Sequence, residues 1–356
     1  MTTAHINRIG TATPPHDVHD AFVVFARTLL TDDRTRSLFD RMAERAGIAH
    51  RYSFFQPGEP GAANVDKDGF YRRGAFPTTG ARMNRYKADA VTLAVQAVQD
   101  LDVSQEGITH LIVGSCTGFT APGLDQLIAE RLGLGGALER TLVGFMGCYA
   151  AVPGLRSARH IVRSDPTARV LVVNAELCTL HLQETPDLER VLSFMLFGDG
   201  AAAALVTTEA TGIALHDFTA KTIPDSADLI TWHIGDQGFD MHLSGKVPAR
   251  IAGALRAEAD RNDADGILRG DDPAGVPNWA VHAGGRTVLD AVETGLRLPA
   301  EALRHCRGVL HDVGNMSSAT LMFVLNRILA AGTSGPGIGM AFGPGLSAET
   351  FRFTRL

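Results

Sequence analysis

Short apolar runs bounded by polar residues alternate along most of the chain with longer stretches of helical period. Residues 110–114 (HLIVG), 142–145, 169–174 (RVLVVN) and 201–207 (AAAALVT) read as strands. The run 169–174 has no polar alternation, as in a strand buried on both faces. Residues 122–132 and 149–163 read as helices; in the second, Ala151, Leu155, Ala158 and Val162 share one face. Gly198-Asp199-Gly200 predicts a turn before the fourth strand. Residues 209–278 are richer in polar and turn residues, with Gly266, Gly270, Pro273, Gly275 and Pro277 predicting a loop. Alternation then resumes. Residues 279–281 and 308–310 are strand candidates, 287–296 and 318–331 helices, and the last twenty residues two strands around a Gly-Pro-Gly turn.

Each half thus finishes with a Gly-rich turn and a strand of small residues. This predicts an α/β fold with a duplicated unit: an N-terminal lobe over 1–208 and a C-terminal lobe over 209–356. Residues 15–85 are Arg-rich and predict a helical cap on the first lobe. A chain of 356 residues has room for two domains or one large two-lobed one. Its 45% apolar and 20% charged residues support a core of ordinary size. The net charge of -6 offers no basic face for nucleic acid. No apolar run approaches the roughly 20 residues of a membrane span. The first ten residues do not read as a signal peptide. Cys116, Cys148, Cys178 and Cys306 are far apart, with no CxxC pair, which predicts neither disulfides nor a metal site but a reducing, cytoplasmic setting. A lone thiol is then core filler or a nucleophile.

Three residues stand where a strand gives way to a helix: Cys148 after FMG, His282 after WAV, and Asn315 after Gly314. Sites in open α/β folds gather outside the carboxyl ends of strands, so three such switches can meet in one pocket. Taken singly, each has a plain structural reading: a buried thiol, a core histidine, a turn or cap residue. Together they make a nucleophile, a proton acceptor and a neutral donor. A helix N-terminus favours a thiolate, and His and Asn donors favour an oxyanion on a thioester carbonyl.

Five motifs in order make the pattern specific: GCYAAVPGLRSA around Cys148, LFGDGAAAALV at 196–206, HAGGRTVLDAV at 282–292, GNMSSATLMFVL at 314–325 and FGPGLSAET at 342–350. They resemble the type III polyketide synthases, the chalcone-synthase-like members of the thiolase superfamily, from IGTATPP near residue 9 to the last strand. The resemblance implies a thiolase-like fold in duplicated αβαβα layers, a homodimer, and a Cys148–His282–Asn315 triad. It places Phe197 beside malonyl-CoA, and Arg41 and Arg45 on the phosphates of coenzyme A. Cys116, His181, Trp232, Met241 and Ser317 fall at substrate-pocket positions. Three departures stand out. HAGGR replaces the plant HPGGP, leaving Arg286 unexplained; Ala341 replaces the first Gly of GFGPG; and Cys116, Trp232 and Met241 replace the plant Thr, Gly and Phe.

The implied chemistry loads an acyl group from acyl-CoA onto Cys148. Decarboxylative Claisen condensation with malonyl-CoA then extends it, and the chain closes to a pyrone or phenolic ring of alkylpyrone or alkylresorcinol type. The CoA thioesters are substrates, and no metal or redox cofactor is expected. Two alternatives remain at this point: a ketoacyl-carrier-protein synthase III-like condensing enzyme, against which HAGGRT speaks, and a cysteine-dependent acyl-CoA thioester hydrolase.

Overall fold

Successive residues of the central strands face opposite layers. Ile112, Val172 and Ala204 pack into one apolar cluster, while Leu111, Val113, Val173 and Ala203 pack into another. That is the two-sided burial expected of an uninterrupted apolar run. The computed structural model describes residues 2–104, 107–261 and 266–356.

The first half contains β1 (Ala4–Ala12), β2 (His16–Asp17), α1 (His19–Leu29), α2 (Asp33–Arg45), β3 (Tyr52–Ser53), α3 (Thr79–Asp100), β4 (His110–Ser115), α4 (Leu124–Leu132), β5 (Glu139–Gly144), α5 (Ala151–Ser164), β6 (Val170–Leu177), α6 (Leu188–Leu196) and β7 (Asp199–Thr207). The second contains β8 (Ile213–Thr222), β9 (Ile230–Gly235), β10 (Gly238–Leu243), α7 (Val247–Arg261), β11 (Asn278–Val281), α8 (Arg286–Leu296), α9 (Arg304–Val313), α10 (Ala319–Ala331), β12 (Gly335–Gly343) and β13 (Ser347–Arg355).

Among the described residues nine strands form one hydrogen-bonded sheet in the order β11-β12-β13-β8-β1-β7-β6-β4-β5. The duplication is visible in the pairing. β4–β6 is parallel, β6–β7 and β7–β1 antiparallel; β11–β12 is parallel, β12–β13 and β13–β8 antiparallel. The two sets join along β1–β8. Helices α3 and α4 cover one face of the first set. Helices α5 and α10 lie against the other face and touch strands of both sets, and α7 packs on α8 outside the second. This is the layered thiolase-like α/β fold.

The expected elements hold in most places, and the differences have physical causes. Residues 308–310 belong to α9, because Cys306, Val309 and Leu310 are buried at helical spacing and three apolar residues are too few to show period. Asp199 and Gly200 lie inside β7, not in a turn. The Asp199 carboxylate accepts from the Thr179 N–H and hydroxyl, and Gly200 leaves room for Met316. The polar stretch after residue 209 holds β8, the β9–β10 hairpin and α7. The cap is helical only at α1 and α2. Residues 54–78 form turns and isolated bridges, and α3 belongs to the core.

Gly10 lets β1 touch the end of α3. A Cβ there would collide with the Ala97 carbonyl and the Leu101 nitrogen, both backbone atoms. Gly10→Ala is therefore expected to destabilise the fold by ~3 kcal/mol. Gly253→Ala, in α7 with nothing within 4 Å of the added carbon, is expected to stabilise it by ~0.5 kcal/mol. Urea denaturation midpoints of the two variants would check both signs.

Candidate active site

The site forms where α5 and α10 begin. Cys148 lies in a short 3-10 turn, Gly147–Tyr149, that runs into α5. Its thiol is half-buried, whereas Cys116, Cys178 and Cys306 are buried. Asn315 and Ser317 precede α10. Ser317 adopts φ 46°, a left-handed turn that brings its N–H back to Asn315 Oδ1 at 2.8 Å. That bond settles which end of the amide is which. Asn315 Nδ2 is a donor, one hydrogen of which goes to the Gly284 carbonyl at 3.1 Å. Ser317 Oγ reaches Cys148 Sγ at 3.7 Å.

His282 enters from the end of β11, its N–H held by the Met340 carbonyl at 2.8 Å. A Cβ at Gly284 would come within 3.3 Å of its ring, so the glycine that accepts from Asn315 also lies against His282. The imidazole is 2% exposed, and neither ring nitrogen has a hydrogen-bond partner. Burial lowers its pKa to about 4, so at neutral pH it is an uncharged base. Burial also pushes the Cys148 thiol up to about 11, against which Ser317 and Asn315 hydrogen bonds favour the thiolate. At neutral pH the Cys148 side chain is therefore a thiol and the His282 side chain a neutral imidazole.

Behind the thiol lies Glu176, at the end of β6 and fully buried. Its carboxylate accepts from the Cys116 N–H at 3.0 Å, Thr117 Oγ1 at 2.8 Å, Cys116 Sγ at 3.3 Å and Ser318 Oγ. Burial raises its pKa in spite of these donors. Cys116 Sγ in turn meets Ser317 Oγ at 3.1 Å. Sequence reasoning missed Glu176; the signal was a single acid within the apolar run LVVNAEL.

Phe197 and Asn315 form an isolated parallel bridge. Asn315 N–H donates to Leu196 O at 2.9 Å and Gly198 N–H to Asn315 O at 3.0 Å. Trp232 and Met241 are paired across the β9–β10 hairpin and so share a face. The Trp232 indole N–H donates to Cys116 O at 3.1 Å, which places this face over the thiol wall. His181 brings no free imidazole. Its Nε2 meets Thr117 O at 2.7 Å, its Nδ1 accepts the Phe239 N–H at 2.9 Å, and its ring stacks on Phe239. Arg41 and Arg45 lie on the exposed face of α2. Arg45 borders a cavity of about 650 Å³ that also reaches Arg286, Gly284 and Gly285; Arg41 is not among the residues lining it. Arg286 Nη1 donates to the Arg45 carbonyl at 2.9 Å, which ties the last turn of α2 to the first of α8.

The family described as chalcone and stilbene synthases matches nearly the whole chain, its N-terminal domain over residues 1–210 and its C-terminal domain over 214–355. A bisdemethoxycurcumin synthase of Oryza sativa subsp. japonica is 34% identical over 97% of this chain and 91% of its own. Type III polyketide synthase C of Arabidopsis thaliana is 31% identical over 79% and 77%. The crystal structure of PKS-I from the brown alga Ectocarpus siliculosus superposes with a TM-score of 0.85, 29% identity and coverage of 100% and 99%. The chain belongs to the chalcone and stilbene synthase family, the type III polyketide synthases, and is an acyltransferase of that class. This sets aside the ketoacyl-carrier-protein synthase alternative.

The Ser317 hydroxyl supplies a prediction with a definite sign. It donates to Cys148 Sγ and so favours the charged form. Ser317→Ala is expected to raise the Cys148 pKa by roughly half a unit to one unit, slowing iodoacetamide alkylation about three- to tenfold at a fixed pH below it. Mass spectrometry of the Cys148 peptide across pH would read the shift.

Proposed function

We propose that Cys148, His282 and Asn315 carry out acyl loading and decarboxylative condensation on CoA thioesters. The observation that supports this most directly is the unused hydrogen-bonding capacity of His282 close to an oriented amide donor. His282 has two unpartnered ring nitrogens, and Asn315 Nδ2 is oriented by Ser317 so that it can only donate. Such preorganised groups are costly without a partner and suit an oxyanion that forms during reaction.

In this reading His282 takes the Cys148 proton as sulfur attacks the acyl-CoA carbonyl. The CoA thiolate leaves and recovers that proton. Malonyl-CoA then enters, steered by Phe197. Its carboxyl bond breaks, CO2 departs, and the enolate oxygen accepts from Asn315 Nδ2 and a His282 N–H. The carbanion attacks the acyl thioester, Cys148 leaves as thiolate, and a CoA thioester two carbons longer results. Neither metal nor redox cofactor is required, because decarboxylation supplies the electron pair. Further rounds and closure to a pyrone or phenolic ring follow. Arg41 and Arg45 are proposed to meet the CoA phosphates, with the cavity beside Arg45 as the entry. A homodimer is supported by the exposed edge strand β5, where Leu142 and nearby Phe119 are 46% and 43% exposed. A cytoplasmic setting fits four unpaired cysteines. Among the described residues no helix is long and apolar enough to cross a membrane.

Incubation with malonyl-CoA and a panel of acyl-CoA starters, followed by mass analysis, tests the whole reading. Extended products are expected only when malonyl-CoA is present; release of free acid regardless of malonyl-CoA would instead mark a thioester hydrolase. Radiolabelled acyl-CoA is expected to label the parent protein and not Cys148→Ala. Asn315→Ala should lose decarboxylation more than loading, and His282→Ala should lose both. Equal small losses on both steps in both variants would remove these roles.

The starter is proposed to be aliphatic, of medium or long chain. Trp232 fills the volume that a planar phenylpropanoid takes where Gly stands, and the flexible Met241 beside it adapts to a chain. In direct competition, aliphatic thioesters are expected to outcompete coumaroyl-CoA. Trp232→Gly should shift that ratio toward coumaroyl-CoA about tenfold, equivalent to ~1.4 kcal/mol. An unchanged ratio would show that the indole does not set the choice.

A further inference from the structure

Arg51 is 2% exposed, yet among the described residues its guanidinium makes no ion pair; Asp17 and Asp199 favour its charge only at longer range. Burying a lone cation is costly, so what it holds is informative. Nη1 donates to two backbone carbonyls, Phe194 O at 2.9 Å and Phe197 O at 2.7 Å. Nε donates to His19 Nδ1 at 3.0 Å, which requires the neutral imidazole that burial favours there. Nη2 has no partner. The stem is equally engaged. A Cβ on Gly314 would lie 2.7 Å from Arg51 Cγ, and one on Gly198 3.3 Å from Arg51 Cβ. The residue before Asn315 and the residue after Phe197 thus both rest on this one side chain.

Those segments are the two that the Phe197–Asn315 bridge joins. The guanidinium fixes the carbonyl side of α6 and its exit, and the stem fixes the approach to Asn315. A cavity of about 80 Å³ lined by Arg51, Phe22, Cys178, Phe194 and Phe197 lies alongside, so the segment has room to move if the guanidinium lets go. None of the hydrogen bonds of the Arg51 side chain goes to α5, where Cys148 begins, or to the Glu176 network.

We infer that Arg51 is a positioning residue for the decarboxylation half of the reaction: it holds Phe197 and Asn315 in register with each other while leaving Cys148 to be set by α5. The inference rests on the roles proposed for Asn315 and Phe197 above. It separates two steps that a general structural role would impair together.

The test compares Arg51→Met, which keeps most of the stem and removes the donors, with Arg51→Lys, which keeps the charge and one donor group. Loading of Cys148 from an acyl-CoA is followed by intact-protein mass spectrometry, and malonyl-CoA decarboxylation by CO2 release. Arg51→Met is expected to load within threefold of the parent while its decarboxylation rate falls at least thirtyfold. Arg51→Lys should recover at least threefold of that loss. A parallel fall in both steps, unchanged decarboxylation, or a Lys variant no better than Met would overturn the inference. Thermal melting reports whether each variant folds. If Arg51→Met does not, His19→Ala, which removes the Nε acceptor, carries the test: at least a threefold loss of decarboxylation with loading kept supports the inference, and equal effects overturn it. Persistent labelling of Cys148→Ala would be a failure of the proposed nucleophile, read separately from the Arg51 result.

Discussion

Helices α5 and α10 pack together between strands of both halves, and that contact fixes how close the start of one lies to the start of the other. Everything at the site follows from it. Cys148 is delivered by the turn into α5, Asn315 and Ser317 by the turn into α10, and His282 by the end of β11, against which α10 also packs. The faces that do this are apolar and small: Ala151, Val152, Leu155 and Ala158 on one helix, Ala319, Leu321, Met322 and Leu325 on the other. Loss of a methylene group there changes the spacing of reacting groups as well as stability, because close-packed interiors transmit displacement.

The second constraint is polar. Glu176, Arg51 and Arg82 are all buried, and each hydrogen-bonds groups that define the site's walls, with Nη2 of both arginines left without a partner. Glu176 gathers Cys116, Thr117 and Ser318. Arg51 gathers the carbonyls flanking Phe197. Arg82 donates to Leu180 O and Leu182 O on either side of His181. Buried charges are tolerated only where hydrogen bonds replace water. A network of this kind is expensive to disturb, so it holds the wall rigid while His282 keeps its ring nitrogens unused.

Arg286, which departs from the plant motif, also has a physical account. Its bond to the Arg45 carbonyl joins the cap to the second half, and both residues border the large cavity beside Gly284. The cap helix that carries Arg45 is thus fastened next to the His282 loop by a side chain that no local pattern required.

Much was legible in the sequence because it depends on local chemistry. Two-sided burial of 169–174, the helical faces of 149–163 and 318–331, and the strand-to-helix switches at Cys148, His282 and Asn315 all follow from residue type and spacing. The five ordered motifs carried the family. What the sequence did not decide depends on partners distant in the chain. Residues 308–310 gave too short an apolar run to reveal their helical period. Asp199 and Gly200 looked like a turn until Thr179 and Met316 were seen to use them within a strand. His181 falls at a pocket position, but Thr117 and Phe239 occupy both of its ring nitrogens. The roles of Glu176 and Arg51 carried no signal of their own in the sequence, because their partners lie about 60 and 140 positions away and only packing of the layers brings them together.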